Sequence, residues 1–262
     1  MFNLKEFYDI LCDYAPIELS KKQIEQGAYD NSGILINQTD KVERVLFCLD
    51  LSISSVEFAK RNKCDTIITH HPAIYAPLKS LSVDNNKALL LAIKWGFNVI
   101  SMHLNLDVAP LGIDAVLAKT LGAKDYKILR YIDSSHGYGR EFSLPKTTFQ
   151  KYVEFVKKAL ATKKVIAYGK KTDLIDKVAS FCGAGGQEAL DCVNKKATQS
   201  QVIVSSDMPH HIITALVESG LKVIIIPHYS AENIGMKEFY NQIKAKTQDK
   251  AQIFYFDDKR FS

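Results

Sequence analysis

No two of the five cysteines, Cys12, Cys48, Cys64, Cys182 and Cys192, stand in C-x-x-C spacing, and their number is odd. That pattern gives no disulfide framework, and it argues against a structural zinc site closed by thiolates. Cys48 and Cys182 fall in apolar, strand-like runs, which reads as buried free thiols in a reducing compartment. Long apolar runs are also missing. The longest, Ala88 to Ile93 and Val223 to Pro227, are far too short to span a bilayer. The opening Met1-Phe2-Asn3-Leu4-Lys5-Glu6 lacks the basic segment and apolar core of a signal peptide, so the expectation is a cytoplasmic protein with no membrane partner. There is no low-complexity tract, no short repeat and no block of like charge. The net charge is +5, but acids lie between the lysine pairs Lys163-Lys164, Lys170-Lys171 and Lys195-Lys196. Solvated faces account for them, nucleic acid gains only weak support, and an anionic small molecule suits the balance equally well.

What the chain does have is size and alternation. Its 262 residues, 47% hydrophobic and 24% charged, are enough for a real core. Asn3 with Glu6 has the form of a capping box, and Leu4, Phe7, Tyr8 and Leu11 fall on one helical face. Strands are expected at Ile34-Leu35, Val45–Leu49, Asp65–Thr69 and Phe97–Met102, with helices at Ser52–Asn62 and Asn86–Trp95 and a helical stripe from Ile113 to Leu121. Strands alternating with helices imply βα units and a largely parallel sheet. The middle differs: Tyr126–Ile132 and Tyr138–Leu144 flank a hairpin turn, succeeded by a helix over Thr147–Leu160 and strands at Val165–Tyr168 and Lys177–Phe181. Alternation resumes from Gln187, with strands at Val202–Val204, Val223–Ile226 and Ile253–Phe256. The expected fold is therefore α/β. Two βα lobes carry mostly parallel or mixed sheets, with a smaller inserted α+β portion and a metal site at strand ends. The expected divisions are 1–124, 125–182 and 183–262.

Three strand ends carry groups that bind metals. Asp65-Thr66-Ile67-Ile68-Thr69 is stiff, β-branched and apolar, and Pro72 forbids the ladder to continue past His70-His71. Ligands collect at the carboxyl ends of strands in open α/β sheets, and an imidazole pair there can hold transition-metal ions. The plainer reading packs one ring and leaves the other in water. Met102-His103-Leu104-Asn105-Leu106-Asp107 is the second end, with imidazole and carboxylate four apart; a polar loop with Asp107 bonding backbone near Gly112 is the alternative. The third is His228-Tyr229-Ser230-Ala231-Glu232, where Glu232 also reads as an ordinary first-turn residue favoured by the helix dipole. A weak echo links the first and third: Ile67-Ile68 leads to His70-His71-Pro72, and Ile224-Ile225-Ile226 leads to Pro227-His228. Together His70, His71, Asp107, His228 and Glu232 make a nitrogen and oxygen donor set suited to two ions about 3.5–4 Å apart.

These residues resemble the NIF-three-like dinuclear-metal proteins, also called GTP cyclohydrolase 1 type 2 homologues. The resemblance runs over nearly the whole chain. It rests on Asp30-Asn31-Ser32-Gly33, Thr69-His70-His71-Pro72, His103-x-Asn105-Leu106-Asp107 with Gly112, and Gly137-Tyr138-Gly139-Arg140. It continues in Gly183-Ala184-Gly185-Gly186, Ser206-Asp207, and His228-Tyr229-x-x-Glu232 with Gly235. The resemblance implies two divalent metal ions per subunit on His70, His71, Asp107, His228 and Glu232, with Glu232 bridging. Zinc, iron, manganese and nickel all suit the donors. His103 matches an imidazole beside the metals and is the candidate for proton transfer. The implied assembly is a ring-shaped homo-hexamer. Ala231 stands where the family usually has Ser or Thr, Pro227 where it often has Gly, and Asp114 where it often has Asn; none of these removes a ligand.

Gly183-Ala184-Gly185-Gly186 fits either an anion nest or a tight turn, and it is neither a Walker loop nor a dinucleotide fingerprint. His210, His211 and His136 stay outside the ligand set. The family label implies a hydrolase in which metal-activated water attacks GTP, giving formate and dihydroneopterin triphosphate. The motifs support the metal centre better than they support a purine pocket, because function belongs to the site and not to the fold. Two alternatives stand beside it. One is a different metal-dependent hydrolase acting on a phosphoester or cyclic amide. The other is a non-catalytic metal-binding scaffold or regulatory protein.

Overall fold

The computed structural model describes residues 1–247 and 250–261. In chain order the elements are β1 (Phe2–Asn3), α1 (Leu4–Tyr14), α2 (Ile17–Glu25), β2 (Gly33–Ile36), β3 (Lys41–Val42), β4 (Arg44–Cys48), α3 (Ile53–Arg61), β5 (Thr66–Thr69), α4 (Val83–Lys94), β6 (Asn98–Ser101) and α5 (Leu104–Val108). Next come α6 (Ile113–Thr120), β7 (Lys127–Tyr131), β8 (Gly137–Thr148), α7 (Phe149–Ala159), β9 (Ile166–Tyr168), β10 (Leu174–Ser180), α8 (Gly186–Asn194), β11 (Val202–Ser205), α9 (His210–Glu218), β12 (Lys222–Ile225), α10 (His228–Thr247) and β13 (Gln252–Tyr255). The chain forms two compact units, one of Met1–Leu111 with Met236–Lys259, the other of Gly112–Gly235 with the last residues from Arg260. No helix among the described residues is long and apolar enough to cross a membrane.

The first unit is built on a five-stranded sheet ordered β13-β4-β5-β6-β2. β13, β4, β5 and β6 run parallel, and β2 pairs antiparallel with β6. Val45, Leu46, Phe47 and Cys48 are all buried, as a parallel strand covered on both faces requires. On one face Leu46, Cys48, Ile67 and Val99 pack with Val56 and Ala59 of α3 and Leu89 and Ala92 of α4. On the other, Phe47 meets Phe239 of α10 edge-on. The parallel register puts the carboxyl ends of β4, β5 and β6 along one edge, and β2 starts at that same edge, where Gly33 lies opposite Ser101. The capping box expected at Asn3 and Glu6 forms.

The second unit holds a six-stranded mixed sheet ordered β7-β8-β10-β11-β12-β9. Its parallel core is β10, β11 and β12, with β8 and β9 antiparallel on either side. One buried ion pair fastens its turns. Arg140 Nη1 lies 3.1 Å from Asp114 Oδ2, both side chains essentially without solvent contact. Asp114 also accepts from the amides of Gly139 and Cys182, at 2.9 and 3.1 Å. Asp114 thus has a cationic partner in this chain.

The α/β reading with two lobes of mixed sheet agrees with the structure; the divisions differ. Residues 125–182 are not separate from residues 183–235, because β10 pairs in parallel with β11 and makes one sheet of both stretches. The stretch Met236–Lys259 belongs to the first unit, where β13 extends the sheet beside β4. Two helices escape sequence periodicity. α2 buries Leu19, Ser20 and Gln23, so polar residues interrupt its stripe, and α5 is a single turn. α10 begins at His228, which moves Glu232 one turn into the helix.

Candidate metal centre

Within the first unit, the strand ends deliver the imidazoles. The amides of His70 and His71 both donate to Leu49 O, at 3.1 and 3.0 Å, so the two residues continue past β5 under the control of β4. Thr69 Oγ1 donates to His71 O and contacts Ser101 Oγ at 2.7 Å, tying this turn to the end of β6. His103 leaves β6 on the same edge. The ligand atoms of His70, His71 and His103 all lie within 4.8 Å of one another. Asp107 joins them: the stretch expected as strand end or polar loop is the helical turn α5, with Asp107 N donating to His103 O at 3.0 Å. That turn brings Asp107 Oδ1 to 3.5 Å from His70 Nε2.

The rings are oriented from behind. His70 Nδ1 meets the Met102 carbonyl at 2.8 Å, His71 Nδ1 meets Asp50 Oδ1 at 2.7 Å, and His103 Nδ1 meets Asp30 Oδ1 at 2.7 Å. An oxygen acceptor at Nδ1 takes that nitrogen's proton and leaves Nε2 as the lone-pair donor, the arrangement that metal-ligating histidines use. Asp30 is itself buried and accepts from Ser20 Oγ and Ser32 Oγ. Burial pushes its carboxyl up, but the hydrogen bonds from His103, Ser20 and Ser32 and the electrostatic influence of the His103 ring outweigh that and hold it below the usual value.

In the second unit, β11 and β12 supply Asp207 and His228 at their carboxyl ends. His228 Nδ1 donates to Asp207 Oδ2, repeating the same tautomer control. One turn along α10, Glu232 Oε2 lies 2.9 Å from His228 Nε2. Gly183 makes room for this carboxylate. A Cβ at Gly183 would stand 2.6 Å from Glu232 Oε1, and its φ of +59° is already the left-handed region. The glycine run is therefore packing and turn: Gly185 N donates to Ser205 Oγ and Ser206 N donates to Gly183 O.

The structure thus gathers His70, His71, His103 and Asp107 in one unit and His228 with Glu232 in the other. His210 and His211 are exposed at the start of α9, and His136 binds Asp133 within the hairpin turn. Sequence reasoning missed Asp50 and the supporting roles of Asp30 and Asp207. The last two stood inside quoted motifs, and Asp50 stood at a strand exit, but nothing local tied any of them to a histidine. The donors fit divalent ions of borderline softness, because they offer imidazole nitrogen and carboxylate oxygen with no thiolate.

Residues 2–260 match the family described as Duf34/NIF3 (NGG1p interacting factor 3). Among curated proteins, the chain is 29% identical over 238 residues to a GTP cyclohydrolase 1 type 2 homolog of Methanocaldococcus jannaschii, covering 90% of this chain and 92% of the relative. It is 26% identical over 235 residues to a GTP cyclohydrolase 1 type 2 homolog of Clostridium perfringens, covering 87% and 86%. Among solved structures, a Bacillus cereus protein related to NIF3 superposes with a TM-score of 0.87 at 20% identity, over 97% of this chain and 96% of that one, and it shares the fold.

Proposed function

Since the chain belongs to the Duf34/NIF3 family, we propose that it is a dinuclear, divalent-metal-dependent hydrolase of the GTP cyclohydrolase 1 type 2 kind, converting GTP to dihydroneopterin triphosphate and formate. His70, His71, Asp107, His228 and Glu232 would hold the two ions. The observation that carries this reading is the shared anchorage of four imidazoles: each Nδ1 is committed to an oxygen, leaving each Nε2 as donor. Holding Nδ1 on an oxygen is the arrangement that metal-ligating histidines use. A pair of bound divalent ions supplies a water of lowered pKa at neutral pH.

His103 takes and returns the proton. Its Nε2 is the basic nitrogen, and Asp30 behind it stabilises the imidazolium that forms. His70 is enclosed completely and Asp107 beside it is buried, so these two donors are held away from bulk water. The two relatives described as GTP cyclohydrolase 1 type 2 homologs supply the reason for choosing GTP. A homo-hexamer is the assembly proposed, and sedimentation measures it.

The test is metal analysis of protein purified without chelator, then formate release from GTP by wild type and His71→Ala. Two bound ions and formate release lost in the variant are expected. Turnover of a phosphodiester but not GTP would move the reading to another hydrolase. Full metal occupancy with no turnover across a broad panel would leave a metal-holding scaffold and overturn the proposal.

A further inference from the structure

Between Pro72 and α4 the chain runs without helix or strand, and this loop leaves from the His70-His71 turn. Tyr75 on it is 52% exposed, and Tyr29, before β2, is 50% exposed. A single exposed tyrosine needs no explanation, but these two touch. Their ring centroids lie 4.9 Å apart with the planes at 61°. Tyr75 also meets the His103 ring, 6.3 Å away and nearly perpendicular at 84°. Two half-bare aromatic rings therefore stand in contact directly beside the imidazole cluster.

Their placement is built, not incidental. Four consecutive residues each contribute one link. Tyr29 meets Tyr75 edge-on. Asp30 holds His103 Nδ1. Asn31 Nδ2 donates to Ile74 O, fixing the residue before Tyr75. Ser32 Oγ accepts from His103 N at 3.1 Å. The same stretch thus sets the aromatic pair and the imidazole relative to each other, and Ser101 Oγ secures the loop's start by accepting from Ala73 N at 3.2 Å.

We propose that Tyr29 and Tyr75 form a stacking platform for a flat nitrogen heterocycle, with a nucleobase as its substrate class. Rigidly held tyrosines present π-faces and edges at little entropic cost, and base stacking on them tolerates any aromatic ring. The contact of Tyr75 with His103 would put a ring stacked there next to the imidazole cluster. The proposal deepens the hydrolase reading by naming the side chains that hold the base, and it rests on that reading for the site's use but not for its test.

The experiment is calorimetric titration of the full chain, as purified, with guanosine monophosphate and with ribose 5-phosphate. It is done on wild type, Tyr29→Ala, Tyr75→Ala and Tyr75→Phe, with metal content measured for each. The nucleotide is expected to bind at least about tenfold more tightly than the sugar phosphate, and Tyr75→Ala to weaken it about tenfold while Tyr75→Phe retains it. Metal content stays constant across the series, which reports an intact centre. Equal binding of the two ligands, unaltered binding in Tyr75→Ala, or no nucleotide binding by wild type overturns the platform. Nucleotide binding through Tyr75 without formate release from GTP would leave the platform and remove the hydrolase. Formate release with an unchanged KM in Tyr75→Ala would do the reverse.

Discussion

Asp30 and His103 stand 73 positions apart in the sequence, yet Asp30 Oδ1 accepts from His103 Nδ1 at 2.7 Å. The contact exists because β2 runs antiparallel to β6, so the residues leading into one strand lie beside the residues leaving the other. The same logic puts Asp50, past the end of β4, against His71, and Asp207, past β11, against His228. Parallel neighbours end together, and their exits hold one another's side chains.

Removing one of these supports separates orientation from ligation. Asp50→Ala keeps all five proposed ligands but frees the His71 ring. Metal affinity, read by competition with a chromophoric chelator, is expected to fall about 10- to 100-fold. An unchanged affinity would mean that His71 is oriented by something other than Asp50.

Gly183→Ala tests the pocket around Glu232. The added methyl would fall 2.6 Å from Glu232 Oε1 in a backbone of positive φ. The conformational strain costs about 1–2 kcal/mol, and the carboxylate must also move. Thermal denaturation is expected to show a modest loss of stability, while metal affinity drops about tenfold or more. Wild-type metal binding in this variant would place Glu232 outside the ligand set.

The Arg140–Asp114 pair is structural. Arg140→Ala leaves a buried carboxylate without its cation and is expected to cost about 3–5 kcal/mol in chemical denaturation. Replacing both, as Asp114→Asn with Arg140→Met, is expected to cost less than the single change, because no uncompensated charge remains. A double variant as unstable as the single would show that the hydrogen bonds of Asp114, and not its charge, fasten the turns.

Glu141 gives a pH signature through partners other than the candidate metal ligands. Burial raises its carboxyl, but hydrogen bonds from Thr198, the Gln199 amide and Ser200, with the charge of Lys177, bring it below the usual value. A folded-state pKa below the unfolded one stabilises the fold above the unfolded pKa, and the contribution disappears as pH falls through the folded value. Glu141→Gln is therefore expected to melt below wild type at neutral pH, with the gap closing below about pH 4. A gap that stays constant well below that pH would assign the effect to packing.

Much of this protein could be read without coordinates. Apolar runs ending in His70-His71-Pro72 and in Pro227-His228 marked β5 and β12 and their exits, because strand burial and proline's missing donor are local properties. Asn3 and Glu6 marked the first helix for the same reason. Other features were not local. Ser20 and Gln23 hide α2 because their burial depends on partners elsewhere, Asp30 and Leu104 O among them. The pairing of β10 with β11, which unites the middle and later stretches, is a choice among strands of similar composition. The sequence by itself determined which residues carry groups able to donate to a metal and at which strand ends they stand. Only the tertiary structure decided which ring nitrogen each histidine presents, because the oxygen that settles it comes from another strand's exit.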